Sequence, residues 1–372
     1  MIRESIAENE PKRNQIIKWV IAGIVLGICF VVFYTVAHPM YIYDTDDWTY
    51  IANSRHAWPT TKEWNPTKIL PETLMPLTAE MGIRFIMPFS GDYIGSMAIA
   101  FALVVTSFIV AYVLIFGKTA KELFDLHTSV IFFIIALFAL YHFLPFNVSD
   151  TGNKYLFYGG NVNCYFNYLV PGLFNATLVM YLINHRQNEW RDKGRYVQKG
   201  VLILFIYLCV NSNMFHSIIL ASFAGMNSLI WVISEKERYW KKQGIKQFCV
   251  DFVRENTLWL LILIVWLGSL VFEMQGGRAA RASTSFLELP IGMTFFKFIQ
   301  SVENMNKLYL ISVLLFIVLA ILIYIFIGRK ENKEQDKRYI SWFVKISICM
   351  VVTWGYLILL CAKVSPEYMV NN

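Results

Sequence analysis

Charge is scarce in this sequence. Only 16% of its 372 residues are Asp, Glu, Lys or Arg, against about 25% in an ordinary soluble domain. The deficit excludes a chain whose surface is solvated throughout. Several catalytic signatures are also missing. No Walker A loop, HExxH, GxSxG or GxGxxG occurs, which argues against ATP-driven transport and zincin proteolysis. Cysteines number six, at 29, 164, 209, 249, 349 and 361, with no CxxC pair. They read as small apolar packing residues, and no disulfide framework follows. Few charges fall inside the apolar runs, where ion channels and proton-coupled transporters usually need them.

What the chain has in abundance is apolar length. It is 56% hydrophobic, with mean hydropathy +0.48. Runs of 18 or more apolar residues cross a hydrocarbon core of about 30 Å as helices. Lipid tolerates no unpaired backbone, so such runs must be helical. The runs are 17–37, 93–116, 129–146, 163–183, 200–212, 216–233, 257–273, 308–328 and 343–362. Residues 200–234 are almost unbroken, and as one helix would be about 50 Å long, too long for one span. Basic segments flank the stretch on both sides, so the chain must leave and return. The expectation is a tight hairpin of two short helices with Asn211–His216 at its tip.

The reading is therefore all-α: a single polytopic membrane domain over 1–372 with about nine transmembrane helices. With the amino terminus in the cytoplasm, the inner segments hold 23 of the 33 basic residues, which sets the orientation. The carboxy terminus then lies outside. The net charge of +7 is mostly this bias. It is spread over separate short segments and does not argue for nucleic acid. The first run is longer than a signal peptide's apolar core, so it is read as a retained span. Two outer loops, 38–92 and 274–307, are long and rich in Pro, Gly, aromatic and polar residues. Loops of that length tend to be functional.

Four constellations stand on the outer side. The first is Tyr43-Asp44-Thr45-Asp46-Asp47-Trp48-Thr49-Tyr50. Three carboxylates in four positions repel one another, which raises at least one pKa unless a cation compensates. A general base or a metal site needs that arrangement. Helix capping, with Asp44 as cap and Asp47 near the positive end of the dipole, accounts for one or two of the three. Trp48, Ile51, Ala52 and Arg55 follow at i, i+3, i+4 and i+7. They predict an interfacial amphipathic helix along the outer leaflet. The second constellation is Gly276-Gly277-Arg278-Ala279-Ala280-Arg281, where two guanidinium groups suit a phosphate, or lipid headgroups. The third is the hairpin tip, where Asn213 and His216 could contact a phosphate or sugar, or act as polar glue between helices. The fourth runs from Gly159 to Tyr168, with Asn161, Asn163 and Asn167 among aromatics. That equipment suits carbohydrate or ordinary interhelical packing.

An acidic motif in the first outer loop followed by an interfacial aromatic helix, here Asp44-Thr45-Asp46-Asp47-Trp48, resembles the GT-C class of membrane glycosyltransferases. That class includes bacterial polyprenyl-phosphate-sugar transferases such as O-antigen glucosyltransferases. The Gly-Gly-Arg-Ala-Ala-Arg stretch resembles a Gly-Asn-x-x-Arg-like element late in some members. The resemblance implies transfer of a sugar from a polyprenyl-phosphate donor to a cell-surface glycan or lipid-linked acceptor, on the outer face of a bacterial plasma membrane. Asp46 or Asp47 would be the catalytic base. Asp44, Trp48, Arg55, Asn213, His216, Arg278 and Arg281 would bind substrate. A divalent cation, Mg or Mn, would take Asp44, Asp46 and Asp47. A lipid-linked oligosaccharide polymerase or flippase is the alternative, and a flippase would need mid-membrane Arg or Lys.

Overall fold

A computed structural model describes residues 12–42, 45–52, 58, 64–124, 126–145, 157–159, 161–184, 196–242, 244–276, 288–323 and 333–371. Every regular element among them is helical. Six helices are long and apolar enough to cross a membrane: Arg13–Ala37, Tyr93–Phe124, Val162–Asn184, Met214–Lys236, Thr257–Met274 and Ser341–Val364. They mark the chain as an integral membrane protein. The other three expected runs also hold apolar helices, over Val130–Tyr141, Tyr196–Val210 and Lys307–Val318, each of 10–17 residues. The long run 200–234 breaks where its polar residues fall. One helix ends at Val210 and the next begins at Met214.

The packing falls into two units, Met1–His142 with Tyr155–Ser217, and Phe143–Lys154 with Ile218–Asn372. The first contains α1 (Lys12–Val32), α2 (Thr45–Ala52), α3 (Ile69–Met81), α4 (Met87–Ser90), α5 (Tyr93–Phe124), α6 (Thr128–Tyr141), α7 (Val162–Cys164), α8 (Val170–Asn184) and α9 (Tyr196–Val210). Helix α5 is its axis, packing against α1, α3, α6 and α8. Its buried stripe, Met97, Phe101, Val105, Ile109, Val113 and Gly117, repeats every four residues, as one helical face does.

Small residues set how closely the helices approach, because lipid supplies no hydrophobic drive between them. A Cβ on Gly82 would lie 2.7 Å from the Ser96 carbonyl oxygen. One on Gly117 would collide with Ile135 and lie 3.2 Å from Trp19. These contacts fix directions. Trp19 faces Gly117 and Gly23 faces Leu114, so α1 runs antiparallel to α5. Phe101 meets Phe166 and Phe108 meets Phe174, so α8 runs parallel to α5. Asn175 reaches Cys209, and Asn213 beyond the end of α9 reaches back to Asn167, so α9 runs antiparallel to α8. The carboxyl end of α1, the amino ends of α5 and α7, and the carboxyl end of α9 therefore share one end of this unit.

Most of the described residues of segment 38–92, read as a loop by sequence, are helical. Beyond α2, helix α3 continues through a π turn at Gly82–Ile86 into α4. Pro71, in the first turn of α3, lacks only an amide that would be unpaired there anyway. Pro76 lies inside the helix. Gly91 closes it with φ 67°, a left-handed conformation suited to glycine.

The second unit contains most of α10 (Met214–Lys242), then α11 (Gly244–Glu255), α12 (Thr257–Gly276), α13 (Ile291–Glu303), α14 (Lys307–Ile323), α15 (Lys333–Val364) and α16 (Tyr368–Asn371). Phe223 packs edge-on to Trp259, and Phe298 meets Trp354. Ser222 and Thr353 hydroxyls lie 3.3 Å apart. Lys297 pairs with Glu367 at 3.0 Å.

Candidate functional site

Helix α2 carries the acidic motif. Asp46 and Asp47 occupy its first turn, where the positive end of the dipole favours carboxylates. The two neighbours part company in environment. Asp46 is exposed, whereas Asp47 is fully buried at 0% exposure. The face turned to the protein is Asp47 with Tyr50, one helical turn apart. Lys68 sits over the Tyr50 ring at 5.8 Å. Trp48 remains 40% exposed, so the Trp48–Ile51 side lies away from the protein, where a membrane surface could meet it.

The burial of Asp47 has a specific cause. Its Oδ1 accepts the backbone N–H of Asn163 at 2.7 Å. Asn161 Oδ1 accepts the N–H of Cys164 at 2.8 Å. Both amides open the helical run Val162–Asn184 and would otherwise lack partners. Asp47 is thus a cap supplied from another element, with its charge beside the amino end of a membrane-length helix. The sequence alone offers Asp47 as a candidate base, or as a carboxylate near the dipole of its own helix. The cross-element role was not visible there, because its partner lies 116 residues away.

From Asn163 a chain of amides leads to the turn between α9 and α10. Asn167 Nδ2 donates to Asn163, to the carbonyl at 3.3 Å and to the side-chain oxygen. Asn213 Nδ2 donates to the Asn167 carbonyl at 2.6 Å. Asn213 Oδ1 in turn accepts the N–H of Phe215 at 2.8 Å, capping α10. Asn167 sits in a π turn, Tyr165–Leu169, a distortion often found at functional sites. His216 faces the Tyr168 ring at 6.3 Å and lies 3.0 Å from where a Gly172 Cβ would stand. Its Nδ1 is shut away from solvent and has no hydrogen-bond partner, as is Asn167 Oδ1. Buried polar atoms without partners carry a real penalty, and such atoms mark where a polar ligand or proton could be received.

An aromatic rim holds the segment before α7 in place. Tyr34 donates to the Phe157 carbonyl at 2.7 Å. The Gly159 N–H donates to Tyr165 Oη at 2.8 Å. His38 Nε2 is 2.8 Å from the Gly159 carbonyl, and its ring stacks on Tyr158 at 4.2 Å. A Cβ on Gly159 would come within 2.9 Å of the Tyr165 ring.

Three of the four expected constellations therefore meet at one end of the first unit: the acidic motif, the Asn-rich segment and the hairpin turn. Asp44, Arg55, Arg278 and Arg281 lie outside the described residues. Of the three carboxylates read as metal ligands, only Asp46 and Asp47 are described. Among the described residues no group of three His, Cys, Asp or Glu side chains could hold a metal ion. Sequence reasoning passed over Glu72, buried at 5% exposure in the first turn of α3, and Asn175, fully buried. Asn175 Nδ2 reaches the Pro171 and Cys209 carbonyls at 2.9 and 3.1 Å and Ser212 Oγ at 3.2 Å. The available signal for Glu72 was a carboxylic acid within Ile69–Met81, a stretch whose only other charge is Glu80. No family model matches the chain, and no curated protein or solved structure does either.

Proposed function

We propose that the chain is a membrane glycosyltransferase of GT-C-like layout with about nine spans. It moves a sugar from a polyprenyl-phosphate donor to a cell-surface glycan or lipid-linked acceptor, on the outer face of a bacterial plasma membrane. The observation that carries this reading is the docking of α2. Asp47 anchors it to Asn163 at the head of a membrane-length helix, where the Asn163–Asn167–Asn213 chain begins, and the adjacent carboxylate, Asp46, is exposed.

The division of labour follows. Asp46 is the general base, and Asp47 positions it. The acceptor oxygen attacks the anomeric carbon as its proton passes to Asp46. The bond from that carbon to the phosphate oxygen breaks, and the lipid phosphate leaves with the electron pair. A single displacement of this kind inverts the carbon. Asn213 and His216 contact sugar hydroxyls or phosphate, and Trp48 meets the lipid surface. Arg278 and Arg281 neutralise the leaving phosphate as its charge grows. Asp44 and Arg55 bind acceptor or donor; of the three carboxylates Asp44, Asp46 and Asp47 read for a Mg or Mn ion, Asp44 is the one left to hold it, since Asp46 serves as base and Asp47 is engaged by the Asn163 amide.

The test is transfer from a radiolabelled polyprenyl-phosphate hexose by the purified full chain in lipid nanodiscs, with isolated cell-envelope glycan as acceptor. The wild type transfers label and Asp46→Asn does not. Undiminished transfer by Asp46→Asn would overturn the base assignment, and absence of any transfer across the common hexoses would overturn the activity.

A further inference from the structure

In the second unit, helix α13 has its polarity inside out. Thr294 is fully buried, and Lys297 and Ser301 are partly buried. These three fall at i, i+3 and i+7, on one face, and α13 packs against α15 and α16. The opposite arc carries Met293, Phe295, Phe296 and Ile299, all exposed, with Phe296 at 67%. At about 100° per residue these four point away from Thr294. A helix on a watery surface turns its apolar side inward and its polar side out. In hydrocarbon the preference reverses. Apolar side chains are at home facing lipid, and polar ones turn to the protein.

The depth of α13 can be read from its contacts. The Phe298 ring meets Trp354 at 5.8 Å. Trp354 lies within the membrane-length stretch Ser341–Val364. From Trp354 to Val364 the helix rises about 15 Å, half of a hydrocarbon core of about 30 Å. Phe298 therefore reaches a residue near the middle of a span. Its neighbour Lys297 reaches the other way, to Glu367 at 3.0 Å, three residues past the end of that span. There the paired charges can meet water or headgroups. Helix α13 thus lies against the half of the span nearest its carboxyl end. The chain enters it from the membrane-length helix Thr257–Met274 and leaves it for the apolar helix Lys307–Val318.

We propose that Met293, Phe295, Phe296 and Ile299 form a lipid-docking face, which seats α13 among the acyl chains of the leaflet at the carboxyl end of α15. Read by sequence as part of the loop 274–307, the helix is then an element of the membrane rather than a solvated connection. The proposal is independent of the activity assigned to the Asp46 cluster.

Photo-cross-linking of the full chain in its host membrane tests it. A benzophenone amino acid is incorporated in place of Phe296, or of Phe298 as the protein-facing control. Irradiation should shift the mass of the chain labelled at Phe296 by one phospholipid. The label at Phe298 should cross-link within the chain and give no such shift. A cross-link from Phe296 to another polypeptide would assign the face to a partner or a second copy and overturn the proposal. No adduct at all would overturn it too, because benzophenone facing water finds no carbon to attack. A second measurement uses the unaltered protein in phosphatidylcholine nanodiscs. An apolar carbene precursor dissolved in the lipid should modify Met293, Phe296 or Ile299, whereas hydroxyl radicals generated in the water should leave Met293 unoxidised. Ready oxidation of Met293, or its protection without carbene labelling, overturns the proposal even where the labelled variants fail to fold.

Discussion

Replacing Asp47 with alanine removes the acceptor that Oδ1 offers to the Asn163 N–H at 2.7 Å. Three contributions are lost together. A hydrogen bond to a charged group contributes about 1.5–3 kcal/mol. Loss of a helix cap costs about 0.5–2 kcal/mol. A carboxylate at a helix amino terminus adds about 0.3–1 kcal/mol, more when partly buried. These describe one contact seen three ways and do not add, so the expected loss is about 2–3 kcal/mol. Asp47→Asn keeps an oxygen in place and gives up the charge, so about half of the loss should return. Asp46→Asn, at an exposed position, gives up a carboxylate in the first turn of α2 and should cost less, about 0.3–1 kcal/mol.

The assay is unfolding of the purified protein in mixed micelles, titrated with SDS and followed by helical circular dichroism. The expected order of midpoints is wild type, then Asp46→Asn close below it, then Asp47→Asn, then Asp47→Ala. Transfer assays on the same preparations should give a different order. Asp46→Asn loses turnover with a folded protein, whereas Asp47→Asn retains part of it, because its role is to hold α2. A wild-type midpoint for Asp47→Ala would refute the cap. A folded Asp47→Asn as inactive as Asp46→Asn would refute the division between base and positioning residue.

Gly82→Ala should destabilise by about 1–3 kcal/mol, since its Cβ would meet the Ser96 carbonyl oxygen at 2.7 Å; Gly27→Ala, with open space around it, should be neutral or stabilising by up to about 1 kcal/mol, and the same SDS titration compares them. Asn213→Ala loses both its bond to the Asn167 carbonyl and its cap on Phe215, an expected cost of about 1–2 kcal/mol. Asn213→Asp keeps the cap alone and should fall between, with hydrogen exchange at Phe215 reporting the cap separately. Tyr165→Phe leaves the buried Gly159 N–H without its acceptor, and thermal unfolding should drop by the equivalent of about 1–3 kcal/mol.

How much of this was legible depended on the range of the interaction. Apolar length is local, and each expected run holds a helix. The break at Asn211–Asn213 was legible because polar residues there interrupt an apolar stretch too long for one span. The helical stretch 69–90 was not, because Pro71, Pro76 and Pro88 read as loop, and its compensation comes from packing against α5. The Asn163–Asn167 pair has helical spacing and could be read. Its extension to Asn213 spans 46 residues and could not. The exposed Trp48 face follows the amphipathic pattern, but the pattern could not say that Asp47 and Tyr50 would be the protein-facing side. That side is chosen by a partner distant in sequence.

The same distant partner explains why three clustered carboxylates need not share one task. Successive residues on a helix project about 100° apart, at 3.6 residues per turn. Once Asp47 is held against the Asn163 amide, the rotation of α2 about its axis is set, and Tyr50, one turn on, is buried with it. Asp46 then projects to the exposed side, in a direction fixed by the way Asp47 is held. A base must be held in a defined direction to act, yet must not spend its own carboxylate on holding itself. Under the proposed reading adjacent aspartates divide these demands, with Asp47 bonded to the Asn163 amide and Asp46 on the exposed side. A lone aspartate at either position would meet only one of them.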